Sequence, residues 1–139
     1  MRRLRARKIL RAGGALLLAW VCASVAAADD FESVRREAEK NLGSEAGADY
    51  DRWLGDFFKA RPEVEKELTE CVAGHDERPP LRGYVAFDRD GSYRYVLRPK
   101  GPFADCVSAA FAGFSPPPPP TLPYFNPFDL RIAPTPPRE

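Results

Sequence analysis

The chain is predicted to fold as an α+β protein, with a small antiparallel three-stranded sheet packed by helices and held by one disulfide. Three observations predict this. Apolar residues alternate from Gly83 to Leu97 around Asp88-Arg89-Asp90-Gly91, which reads as a hairpin whose type I turn places Gly91 in the left-handed region. Helical apolar spacing flanks the hairpin on both sides, and each flank carries one cysteine, Cys71 before it and Cys106 after it. Beyond a proline-rich link, Phe128, Leu130 and Ile132 alternate with Asp129 and Arg131, the pattern of a strand with one buried face.

The opening residues read as a targeting segment. Arg2, Arg3, Arg5, Arg7, Lys8 and Arg11 precede the apolar run Ala15 to Val25 and the small-residue site Ala26-Ala27-Ala28. This predicts a signal peptide over residues 1–28, cleaved after Ala28. The 16 residues from Gly13 to Ala28 fall short of a bilayer span, which takes roughly 20. A lipoprotein anchor at Cys22 is not expected, because bulky Trp20 and Val21 stand where small residues are needed.

Cleavage removes six of the 21 basic residues and none of the 20 acidic ones, leaving 15 against 20 and a net charge of −5. Residues 29–77 then carry −8 and residues 78–139 carry +3. An acidic mature chain has no general means of neutralising phosphates, so nucleic acid is set aside as a partner. Cleavage also removes Cys22, and two cysteines remain in an exported chain. One disulfide between Cys71 and Cys106 is the default for an oxidising compartment, with two free buried thiols as the alternative. The expected location is periplasmic or secreted.

In order along the mature chain, Asp29 or Asp30 is expected to cap a first helix with Phe31, Val34, Ala38 and Leu42 along one side and Gly43 after its end. Tyr50, Trp53, Leu54, Phe57 and Phe58 form an amphipathic stripe on a second helix and are expected in the core. Its opposite face carries Asp49, Asp51, Asp56 and Lys59, too acidic for a helix lying on a membrane. Pro62 opens a third helix carrying Val64, Leu68, Cys71 and Val72 and ending at Gly74.

The hairpin follows, and its turn pairs Arg82 with Arg98 and Ala86 with Arg94. That register places Val85, Phe87, Tyr93, Tyr95 and Leu97 on a core face. Arg82, Tyr84, Ala86, Arg94, Val96 and Arg98 fall on the other, which is expected to be wet. Pro102 to Gly113 predicts a helix with Phe103, Cys106, Val107, Ala110 and Phe111 inward and Gly113 as its C-cap. Pro116 to Pro120 reads as a stiff polyproline spacer, and Pro127 confines the last strand's start to a sheet edge or entry. The expected division is a signal peptide (1–28), a helical segment (29–60), an α-β-β-α-β domain (61–132) and a disordered tail (133–139).

The sequence resembles the TonB C-terminal-like domain, in its AgmX/PglI C-terminal branch, over about residues 64–132. The features that carry the likeness are Cys71; Val85, Phe87 and Asp90-Gly91; Asp105-Cys106-Val107; Phe114 with Pro116; and Pro127-Phe128. The resemblance implies a module whose sheet, or its edge, receives a peptide or partner protein. With no spanning anchor and no long spacer before the domain, the energy transducer's own role is not expected.

Catalytic chemistry is not expected. His75 is the single histidine, placed in a polar linker beside Asp76 and Glu77 and read as solvated, with no second histidine or free cysteine to complete a zinc site. Asp88, Asp90 and Gly91 do not match a calcium loop, because the glycine is fourth from Asp88 and Pro99 stands at the twelfth position. No cofactor or metal is predicted. The expected function is an exported interaction module; the alternative is a small secreted structural or inhibitory protein. The candidate partner-binding residues are Arg82, Tyr84, Arg94, Arg98 and Lys100, a basic cluster with one tyrosine suited to an acidic partner.

Overall fold

The computed structural model describes residues 21–133, with side chains from residue 30 onward. Its elements are α1 (Val21–Leu42), α2 (Glu45–Lys59), α3 (Pro62–Gly74), β1 (Leu81–Phe87), β2 (Tyr93–Arg98), α4 (Pro102–Ala110) and β3 (Tyr124–Leu130), an α+β arrangement. Most of the expected signal peptide, and all of the expected tail except Ala133, lie outside the described residues.

The hairpin turn sets the sheet. The Asp88 N–H donates to the Ser92 carbonyl at 2.8 Å and the Gly91 N–H to the Asp88 carbonyl at 3.0 Å, while Gly91 takes a φ of +84°. The predicted pairing follows, with Arg82 opposite Arg98 and Ala86 opposite Arg94. β3 runs antiparallel along the other side of β1, so the order is β2-β1-β3. Gly83 is required where β1 and β2 approach, because a Cβ there would lie 1.9 Å from the Val96 carbonyl oxygen.

β3 begins at Tyr124, earlier than the alternation from Phe128 suggests, and Pro127 sits inside it opposite Tyr84 rather than at its entry. The strand tolerates a proline because it is an edge strand, and at this position the missing N–H would point away from β1.

One face of the sheet carries the main core. Leu81, Val85, Phe87 and Leu97 pack with Tyr50, Leu54 and Phe58 of α2, Val64 and Cys71 of α3, and Phe103 and Val107 of α4. The Cys71–Cys106 disulfide joins α3 to α4 with Cα atoms 5.8 Å apart. Phe58 is the hub of the aromatic cluster, its ring 5.1 Å from Phe57 and Phe111 and 5.9 Å from Phe114. Trp53 departs from expectation: it is 57% exposed although it shares the helical spacing of Leu54 and Phe58. The buried stripe of α2 is Tyr50, Leu54 and Phe58, spaced every fourth residue, and Trp53 falls beside it.

The other face is not wet. α1 lies across it, burying Phe31, Ala38, Tyr84 and Ala86 in a second cluster with Val34, Val96 and Phe125 packed around them. Tyr84, Ala86 and Val96 form an apolar strip between the arginines, and the Phe31-Val34-Ala38 side of α1 covers it. α1 runs unbroken from Val21, so Asp29 and Asp30 lie within it and do not cap it. Gly113, expected to cap α4, instead takes a φ of +82° beyond the capping residue Phe111.

All five tyrosines pack in these two clusters. Burial is the leading cause that raises each phenol pKa above its ordinary value near 10. A raised folded-state pKa contributes stability that is complete below about pH 10 and is lost as pH climbs through the folded values. Alkaline titration is therefore expected to show the tyrosinate absorbance band rising together with loss of far-ultraviolet circular dichroism. Tyrosinate formed below the unfolding transition would contradict this.

Candidate functional site

The predicted partner surface does not form one open patch. Tyr84 is 6% exposed beneath Phe31, ring centroids 5.5 Å apart. Burial, then the Asp30 carboxylate, pushes its pKa up against the opposing pull of Arg94 and Arg98. Arg82 donates to Glu32 at 2.9 Å and lies 3.8 Å from Glu39. Arg98 stands over the Phe31 ring at 4.7 Å and donates to the Leu97 carbonyl at 3.1 Å. The repulsion expected between Arg82 and Arg98 is relieved because α1 supplies carboxylates to one and an aromatic face to the other. Arg94 is exposed and paired with Asp88 at 2.8 Å across the hairpin end, and Lys100 is exposed in the following connection.

Sequence reasoning missed Arg35, which is 5% exposed and ties three elements together. From α1 its guanidinium donates to the Gly83 carbonyl of β1, to the Phe128 carbonyl of β3 at 3.0 Å, and to Asp129 and Glu39 at 2.8 Å each. Burial pulls its pKa down, and the hydrogen bonds to Asp129 and then Glu39 outweigh that pull, so the net direction is upward. The available signal was its spacing: Arg35 stands four residues after Phe31 and beside Val34, on the side of the helix assigned to the core.

His75 also differs from expectation. It caps the end of α3, its Nδ1 donates to the Cys71 carbonyl at 2.8 Å, and its ring lies 5.9 Å from Phe103. It is half-buried because the helix turns the ring back over its own last turn.

The two sheet edges differ in what they offer. Asp88 and Ser92 form a hydrogen-bonded pair, so the alternation of an antiparallel ladder turns the backbone groups of Arg94, Val96 and Arg98 toward β1. Those of Tyr93, Tyr95 and Leu97 face outward. Among the described residues only the Leu97 carbonyl of that outward set has a partner, the Arg98 side chain. On β3 the outward positions are Phe125, Pro127 and Asp129. The Phe125 carbonyl accepts from Asn41 of α1 at 3.0 Å, the Pro127 carbonyl from Asn126 at 3.3 Å, and Pro127 has no N–H. The β3 edge is blunted at its centre, where Pro127 lacks a donor and the Phe125 and Pro127 carbonyls are taken, while the Phe125 N–H and the Asp129 backbone groups have no partner among the described residues; the β2 edge is the more open of the two. β2 is also held rigid: the Tyr93 hydroxyl donates to the Phe111 carbonyl at 2.5 Å and accepts from the Phe114 N–H at 3.1 Å.

Among the described residues no three His, Cys, Asp or Glu side chains gather to hold a metal ion, and no helix is long and apolar enough to cross a membrane. Compared with family models, with curated proteins and with solved structures, the chain matches none.

Proposed function

We propose that the chain is an exported, non-catalytic interaction module, TonB C-terminal-like by resemblance, that receives an extended peptide or partner protein along β2. The observation that carries the reading is the more open β2 edge, set against a β3 edge blunted at its centre. An added strand gains backbone hydrogen bonds there without disturbing the fold. Arg94 and Lys100, exposed near the two ends of β2, give the edge a basic flank that favours an acidic partner. The Cys71–Cys106 bond supports an oxidising compartment, periplasmic or extracellular.

A second reading, a self-contained secreted structural or inhibitory protein, is favoured by one observation: Arg82, Arg94 and Arg98 already have partners within the chain. Amide hydrogen exchange separates the two. In the free protein the Tyr93, Tyr95 and Leu97 amides are expected to exchange much faster than those of Arg94, Val96 and Arg98. Presented with periplasmic extract, the immobilised protein is expected to retain a partner that slows exchange at the first set. Retention of nothing, or of a partner that leaves those three amides unchanged, would reject the β2 edge. Reversing Arg94 and Lys100, which has no ion-pair partner among the described residues, to glutamate is expected to weaken capture more at low salt than at high salt, with the melting temperature nearly unchanged.

A further inference from the structure

The side chains along β2 set what a strand added there has to carry. Because the Tyr93, Tyr95 and Leu97 backbone groups face outward, an antiparallel newcomer forms its hydrogen-bonded pairs at those positions. Arg94, Val96 and Arg98 then fall in the alternate pairs, where side chains across a ladder approach most closely. The newcomer's residues opposite these three are the ones the edge discriminates most sharply.

The three make a charged, apolar, charged row. Arg94 is exposed, and its Nη1 donates to both Asp88 carboxylate oxygens, at 3.0 and 2.8 Å. Its Nε and Nη2 have no hydrogen-bond partner among the described residues. Arg98 donates through Nη1 to the Leu97 carbonyl at 3.1 Å, and its Nε and Nη2 are free of partners among the same residues. That carbonyl belongs to the outward set, so the Arg98 guanidinium already stands at the edge, steadied by the Phe31 ring. Val96 between them is only half-buried, because α1 packs chiefly on β1 and β3.

We propose that the extended partner carries an acidic–any–apolar–any–acidic run, with its apolar residue opposite Val96 and its two carboxylates on Arg94 and Arg98. The proposal rests on the β2 reading above and specifies the occupant of that edge. Two carboxylates four residues apart in a strand lie on one face, at the spacing of Arg94 and Arg98 themselves. Three apart they lie on opposite faces, and one turns to the side of Tyr93, Tyr95 and Leu97, away from the second arginine.

Two fluorescein-labelled heptapeptides with blocked ends test this, Ser-Glu-Thr-Val-Thr-Glu-Ser and Ser-Glu-Thr-Val-Glu-Thr-Ser. They share composition and charge and differ in that spacing alone. In fluorescence anisotropy at low salt the first is expected to bind about tenfold more tightly, and the gap to narrow as salt rises. Arg94→Gln together with Arg98→Gln is expected to bring the two affinities within about twofold while the far-ultraviolet circular dichroism is unchanged. Preference for the second peptide, or a tenfold gap that survives in the glutamine variant, overturns the proposal. Amide exchange tells this failure from that of the β2 reading. If both peptides slow the Tyr93, Tyr95 and Leu97 amides with equal affinity, strand capture stands and the acidic pattern falls. If the first binds without slowing them, the β2 reading falls and takes the pattern with it. Failure of both to bind also overturns the proposal, and sedimentation as a dimer with those amides protected would then assign the edge to a second copy of the chain.

Discussion

Replacing Cys106 by alanine is expected to lower the melting temperature by about 15 °C. The Cys71–Cys106 bond closes a loop across a sequence separation of 35, which in the chain-entropy account is worth about 3 to 4 kcal/mol. At roughly 4 °C per kcal/mol for a domain of this size, that gives the shift stated. The loop holds the whole hairpin, so losing the bond frees the unfolded chain where the native sheet has to be assembled. Differential scanning calorimetry of the variant, and of the parent under reductant, checks this. A shift under about 5 °C would mean that the α3 and α4 packing around Val64, Phe103 and Val107 holds the two helices without the covalent link.

Phe58→Ala is expected to cost about 3 to 5 kcal/mol, the range for removing a large buried aromatic side chain. Phe58 is 6% exposed and meets rings from α2, β2 and the end of α4, so neighbours fixed on three separate elements cannot collapse together into the gap. Trp53→Ala on the same helix is the internal control. Being 57% exposed, Trp53 is expected to change stability by about 0.5 kcal/mol or less. Urea unfolding of the pair measures the difference. Equal losses would mean that the α2 stripe is turned by one position from the arrangement described above.

The hairpin was readable from the sequence because its determinants are local. Gly91 alone suits the left-handed turn position, and once the turn is placed every pair from Phe87–Tyr93 to Arg82–Arg98 follows. The disulfide was readable for a similar reason, since only two cysteines remain once Cys22 is set aside. What covers the Tyr84 face was not readable. The strip of Tyr84, Ala86 and Val96 sits among three arginines, so alternation marks it as polar although its centre is apolar. The helix that buries it is more than 40 residues away in sequence, as the separation of 48 between Arg35 and Gly83 records.

Arg35 and Asn126 escaped for related reasons. A charged residue on the apolar side of a helix, or an amide at the inward position of a strand, has no meaning until the opposite element supplies its partners. Arg35 finds two carbonyls and two carboxylates. Asn126 finds Asp51 and leaves one oxygen over. Proline-based reasoning located β3 at an edge correctly but shortened it, because Pro127 interrupts only the side of the strand that needs no ladder bond.

The strand order β2-β1-β3 also governs when the molecule can fold. Hairpin and flanking helices are contiguous and can form early, but the remaining side of β1 waits for residues 124–130, the last of the described elements in chain order. The clamp of Arg35 on Asp129 spans 94 residues, so α1 cannot reach its final seat until Asp129 is free to move. Loop closure over such distances is slow relative to helix formation. A chain emerging from its amino end, from a ribosome or through a membrane pore, would therefore leave the apolar face of α1 and one side of β1 uncovered until residues 124–130 have followed. That interval is when a holding chaperone would have most to bind.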